Sequence, residues 1–260
     1  YRHDRNSQDS VQSGSDTTGR DLAEHHVQHD KTTTEGGEAV MHRADGAGRC
    51  EGGCSAEQGR TDNAEPNFLA FHRATGLLQE ARFWSPDDPH LYDVYTILKV
   101  DGKVVDVVRT ETGFRKTEFK GGAGTGGVYI NEKFFYLKGF AQRCTNEWAG
   151  LGEAYPDWLH DLTAKMIRDC HADYIRWMHV SPKKADANAM ARFGVVQICP
   201  AGDKEGDREG RQWEQRVEVM RNSMIYFRNN PSILFWEAGA AVITPQHLQQ
   251  MIAQTEQWDP

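Results

Sequence analysis

Hydrophobic and polar positions alternate along the middle of the chain with the period of a β-strand. Five alternate positions share one face of an extended segment: Tyr92, Val94, Thr96, Leu98 and Val100. Asp101-Gly102 is typical of a type I′ turn, and residues 104–108 can return as the partner strand. This region therefore predicts part of an antiparallel sheet.

After residue 128 the pattern changes to short apolar runs that alternate with helical spacing. A hairpin and the first strand of a new domain are predicted at 128–130 and 134–137, and further strands at 173–178, 195–199 and 233–236. Four helices are predicted. The first begins at Pro156, the second ends at Gly194, the third runs from Trp213 to Phe227, and the fourth begins at Thr244-Pro245. Repeated strand–helix units indicate a parallel sheet covered by helices. Periodicity alone allows a doubly wound sheet or half of a (β/α)8 barrel.

The apolar residues are spread unevenly over the 260 residues. Residues 1–65 contain few aliphatic side chains and predict a disordered or non-native segment, because so little apolar surface cannot offset chain entropy. One hypothesis is that this segment is foreign or out-of-frame sequence. Residues 66–120 predict a partial sandwich, and 128–260 a second ordered domain. The glycine-rich run at 121–127 is interpreted as a flexible linker rather than a phosphate-binding loop, since no helix follows it.

Charge and cysteine content exclude several classes of function. The net charge of −8, without a basic stripe, argues against nucleic acid as a partner. No apolar run approaches the length of a membrane span. Cys50 and Cys54 lack a second ligand pair, so neither a metal nor another cofactor is predicted. The sequence leaves the cellular compartment open.

Seven short motifs occur in the order found in a known enzyme family. They are Phe83-Trp84-Ser85-Pro86 through Tyr92, Gly113-Phe114-Arg115, Tyr129-Ile130-Asn131, Leu137-Lys138-Gly139, the run from Arg176 to Pro182, Phe193-Gly194-Val195-Val196, and Asn230-Pro231-Ser232-Ile233 with Trp236. Together they resemble glycoside hydrolase family 2, the group of β-galactosidases, β-glucuronidases and β-mannosidases.

The resemblance implies a multidomain β and α/β protein. An Ig-like β-sandwich fragment would precede the first half of a (β/α)8 TIM barrel, whose active site lies at the carboxyl ends of its strands. The implied activity is retaining, β-galactosidase-like hydrolysis of O-glycosyl bonds in β-linked sugars. That route uses a carboxylic acid and a nucleophilic carboxylate about 5–5.5 Å apart.

The expected acid/base position carries no acid. Where the family has Gly-Asn-Glu, this chain has Gly239-Ala240-Ala241, and alanine cannot donate a proton. The nearest carboxylate, Glu237, lies four residues earlier, about 13 Å along an extended strand. It is either a replacement acid or a polar residue that lines the barrel. The family's nucleophile follows a seventh strand, whereas this chain stops at Pro260, so a catalytically incomplete fragment is expected.

The same resemblance assigns residues to substrate binding. Arg176 and His179 match a sugar-contacting pair of the family. Arg143 matches an arginine that is followed in the family by His and Glu, and in this chain Cys144 and Thr145 replace those two residues. The remaining predicted binding residues are Asn146, Glu147, Trp148 and Trp236. Trp148 is either a sugar-stacking platform or loop packing, and Trp236 lines either the pocket or the core.

Three hypotheses about function remain open on the sequence. The first is a glycosidase, the second is a non-catalytic carbohydrate-binding or interaction protein derived from that fold, and the third is a damaged gene product without a role. Half of a barrel would leave two open strand edges, which predicts self-association.

Overall fold

In the computed structural model, the described residues are 10–15, 21–30, 38–43, 49–50, 57–58, 69–78, 81–100, 103–121, 126–143, 148, 150–152, 154–201 and 207–259. They fall into two compact units. The first unit is Tyr1–Arg82 with Leu91–Phe114, and the second unit is Phe83–His90 with Arg115–Pro260. The predicted boundaries at 65, 120 and 127 stay predictions.

The first unit is built from antiparallel strands. They are β1 (Ser10–Ser15), β2 (Asp21–Asp30), β3 (Glu38–Arg43), β4 (Arg49–Cys50), β5 (Glu57–Gln58), β6 (Leu69–Leu78), β7 (Tyr92–Val100) and β8 (Lys103–Thr112). They form two four-stranded sheets in the orders β1-β2-β6-β5 and β4-β3-β7-β8.

Strands β1 to β5 lie where the composition predicted disorder. Their backbone groups pair with later parts of the chain: β2 with β6 over the register Asp21↔Leu78 to Asp30↔Leu69, and β3 with β7. Amino-acid composition reflects apolar content and does not predict backbone pairing between distant segments.

The predicted pairing of the strand after Tyr92 with the strand after Lys103 is confirmed. β7 and β8 pair antiparallel from Tyr92↔Thr112 to Val100↔Lys103. The Tyr92 and Phe114 side chains are buried and meet edge to face, with ring centroids 5.4 Å apart. The turn predicted at Asp101-Gly102 lies outside the described residues.

The second unit begins with a small antiparallel sheet. Its strands are β9 (Thr117–Lys120), β10 (Gly127–Ile130) and β11 (Lys133–Phe135), in the order β11-β10-β9. Asn131 and Glu132 turn the predicted hairpin with φ values of 49° and 69°. The Asn131 amide accepts the Lys116 N–H at 2.9 Å and donates to the Trp84 carbonyl at 3.0 Å, which fixes this turn.

Four parallel strands and four helices follow. The strands are β12 (Gly139–Gln142), β13 (Tyr174–Trp177), β14 (Val196–Pro200) and β15 (Ile233–Glu237); the helices are α1 (Asp157–Asp169), α2 (Lys184–Phe193), α3 (Arg211–Phe227) and α4 (Pro245–Trp258). The strands pair in sequential order, and each pair is parallel. A parallel sheet interleaved with helices is therefore confirmed.

The first parallel strand is displaced from its prediction. Residues 134–137 were expected to form it, but Phe134 and Phe135 belong to the hairpin, and β12 begins at Gly139. Gly139 pairs with Tyr174, and a Cβ added at Gly139 would lie 1.7 Å from the Tyr174 carbonyl oxygen. This close approach selects Gly139, a residue that is otherwise unfavourable in a strand.

Helix boundaries follow the predicted signals. Pro156 is the N-cap of α1, Thr244 is the N-cap of α4 with Pro245 behind it, and Gly194 ends α2 in the left-handed conformation with a φ of 72°. A Cβ at Gly194 would lie 2.2 Å from the Pro86 carbonyl oxygen, so segment 83–90 packs directly against the end of α2. Trp84 is fully buried, and its indole donates to the Ala191 carbonyl at 2.9 Å.

One face of the parallel sheet carries the core. Ile175 and Trp177 pack with Ala164, Ile167 and Met190 of α1 and α2. Since side chains alternate along a strand, Tyr174 and Arg176 lie on the opposite face, here called the inner face. By the same rule Glu237 shares a face with Phe235, and Trp236 lies on the helix side.

Candidate functional site

A bidentate ion pair joins two strands across the inner face. Arg176 of β13 donates from Nε to the Glu237 Oε2 at 2.6 Å, and its Nη2 donates to Oε1. Glu237 is the last residue of β15, and the intervening strand β14 pairs Ile198 with Arg176 and Pro200 with Glu237. The pair is therefore at the carboxyl end of the sheet, where α/β folds bind ligands.

The Arg176–Glu237 pair is partly shielded from solvent. Side-chain exposure is 28% for Arg176 and 14% for Glu237. The hydrogen bond to Glu237 raises the pKa of the Arg176 guanidinium, against the lowering effect of partial burial. Burial raises the pKa of the neighbouring Tyr174 phenol, with Arg176 opposing and Glu237 reinforcing the shift. Tyr174 lies two residues before Arg176 on the same face of β13, and the raised pKa keeps its phenol protonated.

Glu237 is arranged as an acceptor. Both of its oxygens accept N–H groups from Arg176, whereas a general acid needs a proton on one oxygen and a free path to the leaving group. The ion pair fits the expectation of a polar residue that lines the sheet. The expectation of a replacement acid remains without a supporting contact.

The loop after β15 is held at both ends. Arg216 is buried and donates from Nη2 to the Ala238 carbonyl at 3.0 Å, and the Thr244 N–H donates to the Asp207 Oδ2 at 2.9 Å. Ala240 and Ala241 are exposed between these two anchors. Ala241, at the position expected to carry the acid/base, therefore lies in an anchored loop and presents only a methyl group.

A histidine–carboxylate pair at this loop was missed by the sequence reasoning. His247 Nδ1 lies 2.5 Å from the Asp207 Oδ1, and the imidazole stacks on the Trp213 indole with ring centroids 4.0 Å apart. Burial alone would raise the pKa of the Asp207 carboxyl, but hydrogen bonds from His247 and Thr244 lower it. The partners are 40 residues apart, so no local spacing marks them.

Arg143 and His179 follow neighbouring strands at the same end of the sheet. By strand alternation from Ala141, which pairs with Arg176, Arg143 continues the inner face. The Arg143 Nε is buried, and within the ranges that the structure describes it has no hydrogen-bond partner. His179 is half-buried with a φ of 70°, a left-handed conformation that is uncommon outside glycine.

The two predicted tryptophans lie on the helix side of the sheet. Trp148 donates to the Thr163 Oγ1 at 3.1 Å and lines a groove of about 460 Å³ with Phe140, Met166 and Ile167. Trp236 packs among the core clusters and donates to the Asp259 Oδ2 at 2.7 Å. Both indoles thus face away from the Arg176–Glu237 pair, because alternation along the strand and contacts with the helices direct them outward.

Asn146 and Glu147 lie outside the described residues. Among the side chains that the structure describes, none form a metal-binding group of three or more His, Cys, Asp or Glu. No helix in the described ranges is long and apolar enough to cross a membrane.

Comparison with known proteins gives consistent matches. The sequence profile of the family described as "Glycosyl hydrolases family 2" matches residues 15–115, which include most of the segment predicted to be disordered or foreign. A β-glucuronidase of Formosa agariphila is 32% identical over 183 residues, 70% of this chain and 18% of that protein. The β-galactosidase large subunit of Leuconostoc lactis is 24% identical over 184 residues, 64% of this chain and 28% of that protein.

Solved structures give the same relationship. A β-glucuronidase from glycoside hydrolase family 2 superposes with a TM-score of 0.80 at 25% identity, covering 97% of this chain and 26% of that one. Sequence and fold therefore agree on one family. The chain belongs to glycoside hydrolase family 2, and it spans 18–28% of the length of these curated relatives.

Proposed function

We propose that the protein hydrolyses β-linked glycosides by the retaining route, with Glu237 as the carboxylate that faces the sugar. The observation that carries this proposal is the Arg176–Glu237 pair at the carboxyl end of a parallel sheet. Arg176 fixes the carboxylate, and Tyr174 lies on the same face two residues before Arg176. This group of residues can bind a sugar ring and stabilise positive charge at its anomeric carbon.

The strand order supports the proposed architecture. β12 to β15 are consecutive neighbours, without the reversal of strand order that marks a doubly wound sheet. We therefore propose that they are the first half of a (β/α)8 barrel, preceded by an Ig-like sandwich in the first unit. In such a barrel the active site lies at the carboxyl ends of the strands.

The chemistry proposed for Glu237 uses the free lone pairs of its carboxylate. One oxygen attacks the anomeric carbon, the bond to the leaving oxygen breaks, and that oxygen departs with the electron pair. Water then attacks the same carbon, the ester bond breaks, the carboxylate is regenerated and a proton passes to solvent. Because Ala241 cannot protonate the leaving group, the substrate must carry one that departs as an anion.

A uronic acid is the sugar proposed for this site, in place of the galactose type expected from sequence. The charge of Arg176 is balanced by Glu237, whereas the Arg143 Nε on the same face has no partner among the described residues. A carboxylate is the natural partner of a guanidinium. The names of the similar proteins include both β-glucuronidase and β-galactosidase.

The test of this proposal is turnover of dinitrophenyl β-glucuronide, whose leaving group needs no acid. We expect release of dinitrophenolate, with kcat/KM about 10-fold or more above that for the β-galactoside and for the glucuronide methyl ester. The ester is the matched control, because it keeps the ring and removes only the charge. A 2-fluoro-glucuronide should leave one covalent adduct, located by mass spectrometry at Glu237.

The outcomes separate the competing functions. Equal rates on all three glycosides would contradict the uronic acid and leave the glycosidase standing. Saturable sugar binding without turnover or adduct would favour the non-catalytic binding protein. Neither binding nor turnover would contradict the proposal as a whole.

We further propose self-association through the strand edges. β12 and β15 are the outer strands of the parallel sheet, and Phe119, Phe134 and Phe140 are more than half exposed. Open edges and apolar surface favour contacts between copies. We expect sedimentation velocity to show a concentration-dependent increase in mass. A monodisperse monomer with a sharp unfolding transition would be the opposite result.

A further inference from the structure

A carboxylate that the proposed chemistry does not use lies buried between the first turns of α1 and α2. Asp186 of α2 and His160 of α1 expose only 3% and 2% of their side chains. The Asp186 Oδ1 accepts hydrogen bonds from the His160 Nδ1 and, at 2.9 Å, from the Tyr155 hydroxyl. Its Oδ2 accepts the Lys183 N–H at 3.1 Å. One carboxylate therefore receives donors from α1, from the loop before α1 and from the loop before α2.

These donors tie together the loops that follow two neighbouring parallel strands. Tyr155 lies near the end of the loop between β12 and α1, and Lys183 ends the loop between β13 and α2. The Tyr155 ring packs against the His160 ring with centroids 4.2 Å apart, and the Lys183 Nζ lies 4.9 Å from the centroid of the Tyr155 ring. Both loops leave the carboxyl end of the sheet. Asp186 thus joins two loops at the end of the sheet where Glu237 lies.

The loop after β13 holds His179 in a conformation that needs support. His179 has a φ of 70°, which is costly for a residue with a Cβ and persists only where the surroundings fix it. Residues 178–183 are fixed by three hydrogen bonds: Met178 N–H to the Gln142 carbonyl at 2.7 Å, Ser181 Oγ to the Pro200 carbonyl at 3.0 Å, and Lys183 N–H to the Asp186 carboxylate. Two of the acceptors are backbone carbonyls. Asp186 is the acceptor that a substitution can remove.

We propose that Asp186 is a positioning residue, which holds the loop after β13 so that His179 stays at the sugar site. Asp186 is too deeply buried to touch a substrate and acts through the loop. Its carboxylate cannot turn without leaving buried donors unpaired, and so the network is rigid. The role rests on the proposed glycosidase function, for which His179 is a predicted binding residue.

The test is hydrogen exchange of the Met178 amide, at the end of the loop opposite to Asp186. Asp186→Asn keeps the shape of the side chain, but its NH2 group meets a donor where an oxygen accepted one. We expect the Met178 amide to exchange about 10-fold faster or more, with the amides of α3 unchanged. Faster exchange of the Lys183 amide alone would mean a local helix cap and would overturn the positioning role. If Asp186→Asn fails to fold, Tyr155→Phe removes a single O–H, keeps the ring and should give a smaller change of the same kind.

Asp161→Asn is the matched control, because Asp161 also joins α1 to α2. It accepts the Arg192 Nη2 at 2.5 Å, at the surface of the two helices. Since surface ion pairs contribute little, this variant should leave the exchange of the Met178 amide unchanged. Equal acceleration in Asp161→Asn and Asp186→Asn would contradict a special role of the buried carboxylate.

Kinetics with dinitrophenyl β-glucuronide provide a second measurement. Asp186→Asn should raise KM about 5–10-fold and leave kcat within about 2-fold, because Arg176 and Glu237 bond to each other and not to Asp186. An unchanged KM in an active protein, or an unchanged Met178 amide, would overturn the role of Asp186. If the unsubstituted protein shows no turnover, the proposed function fails, and the exchange of the Met178 amide still decides whether Asp186 holds the loop.

Discussion

Replacing Glu237 with glutamine is expected to reduce turnover of an activated aryl β-glucuronide at least about 1,000-fold, equivalent to about 4 kcal/mol. Glutamine keeps the shape of the side chain and one oxygen acceptor, but it removes the charge that would attack or stabilise the anomeric carbon. It also leaves the Arg176 guanidinium without its counter-charge. The measurement is kcat/KM for dinitrophenolate release, with adduct formation by the 2-fluoro sugar as a second readout.

The matched control is Glu218→Gln, a carboxylate on the exposed surface of α3 that pairs with Arg211. That variant should retain the kinetics and stability of the unchanged protein, since surface ion pairs contribute about 0–1 kcal/mol. Arg176→Lys should lower kcat but preserve the adduct, because lysine keeps the charge and loses the two-pronged geometry. If Glu237→Gln still turned over at the original rate, Glu237 would be structural only.

Replacing Gly194 with alanine is expected to destabilise the second unit by about 3–5 kcal/mol. Two effects add. The left-handed φ of 72° costs an L-residue about 1–2 kcal/mol, and the new Cβ would lie 2.2 Å from the Pro86 carbonyl oxygen. Segment 83–90 would have to move, and with it the fully buried Trp84 and its bond to the Ala191 carbonyl. Urea unfolding followed by tryptophan fluorescence measures the loss.

Gly150→Ala separates the two effects. Gly150 also has a positive φ, 84°, but nothing lies within 4 Å of a Cβ added there. Only the conformational cost of about 1–2 kcal/mol is therefore expected. An equal loss in both variants would mean that the contact with Pro86 adds nothing and that segment 83–90 is held loosely.

Helices and buried strands were predictable where local signals determine them. Gly194 ends α2 because only a residue without a Cβ adopts its conformation freely, and Pro245 begins α4 because its fixed φ suits a first helical turn. The strand predicted at 233–236, observed as β15, followed from its continuous apolar run. The small strand β12 gave no such signal, since Gly-Phe-Ala-Gln has neither alternation nor β-branched residues.

The sequence likewise identified some residues of the site but not their contacts. The motif around Arg176 pointed to a binding residue, and Glu237 was named as the nearest carboxylate, but their mutual bidentate contact spans 61 residues. The faces of Trp148 and Trp236 depended on which side the helices cover. The contact between Asp207 and His247 could not be predicted from local sequence, because the two residues are 40 positions apart.

By itself, the sequence determined the family, the positions of the helices and most parallel strands, and the absence of an acid at Ala241, because these depend on residue identity and short-range periodicity. The tertiary structure alone decided that Arg176 holds Glu237, that the tryptophans face the helices, and that His247 pairs with Asp207. Those contacts depend on strand register and on which elements pack together, and pairing between distant segments sets both.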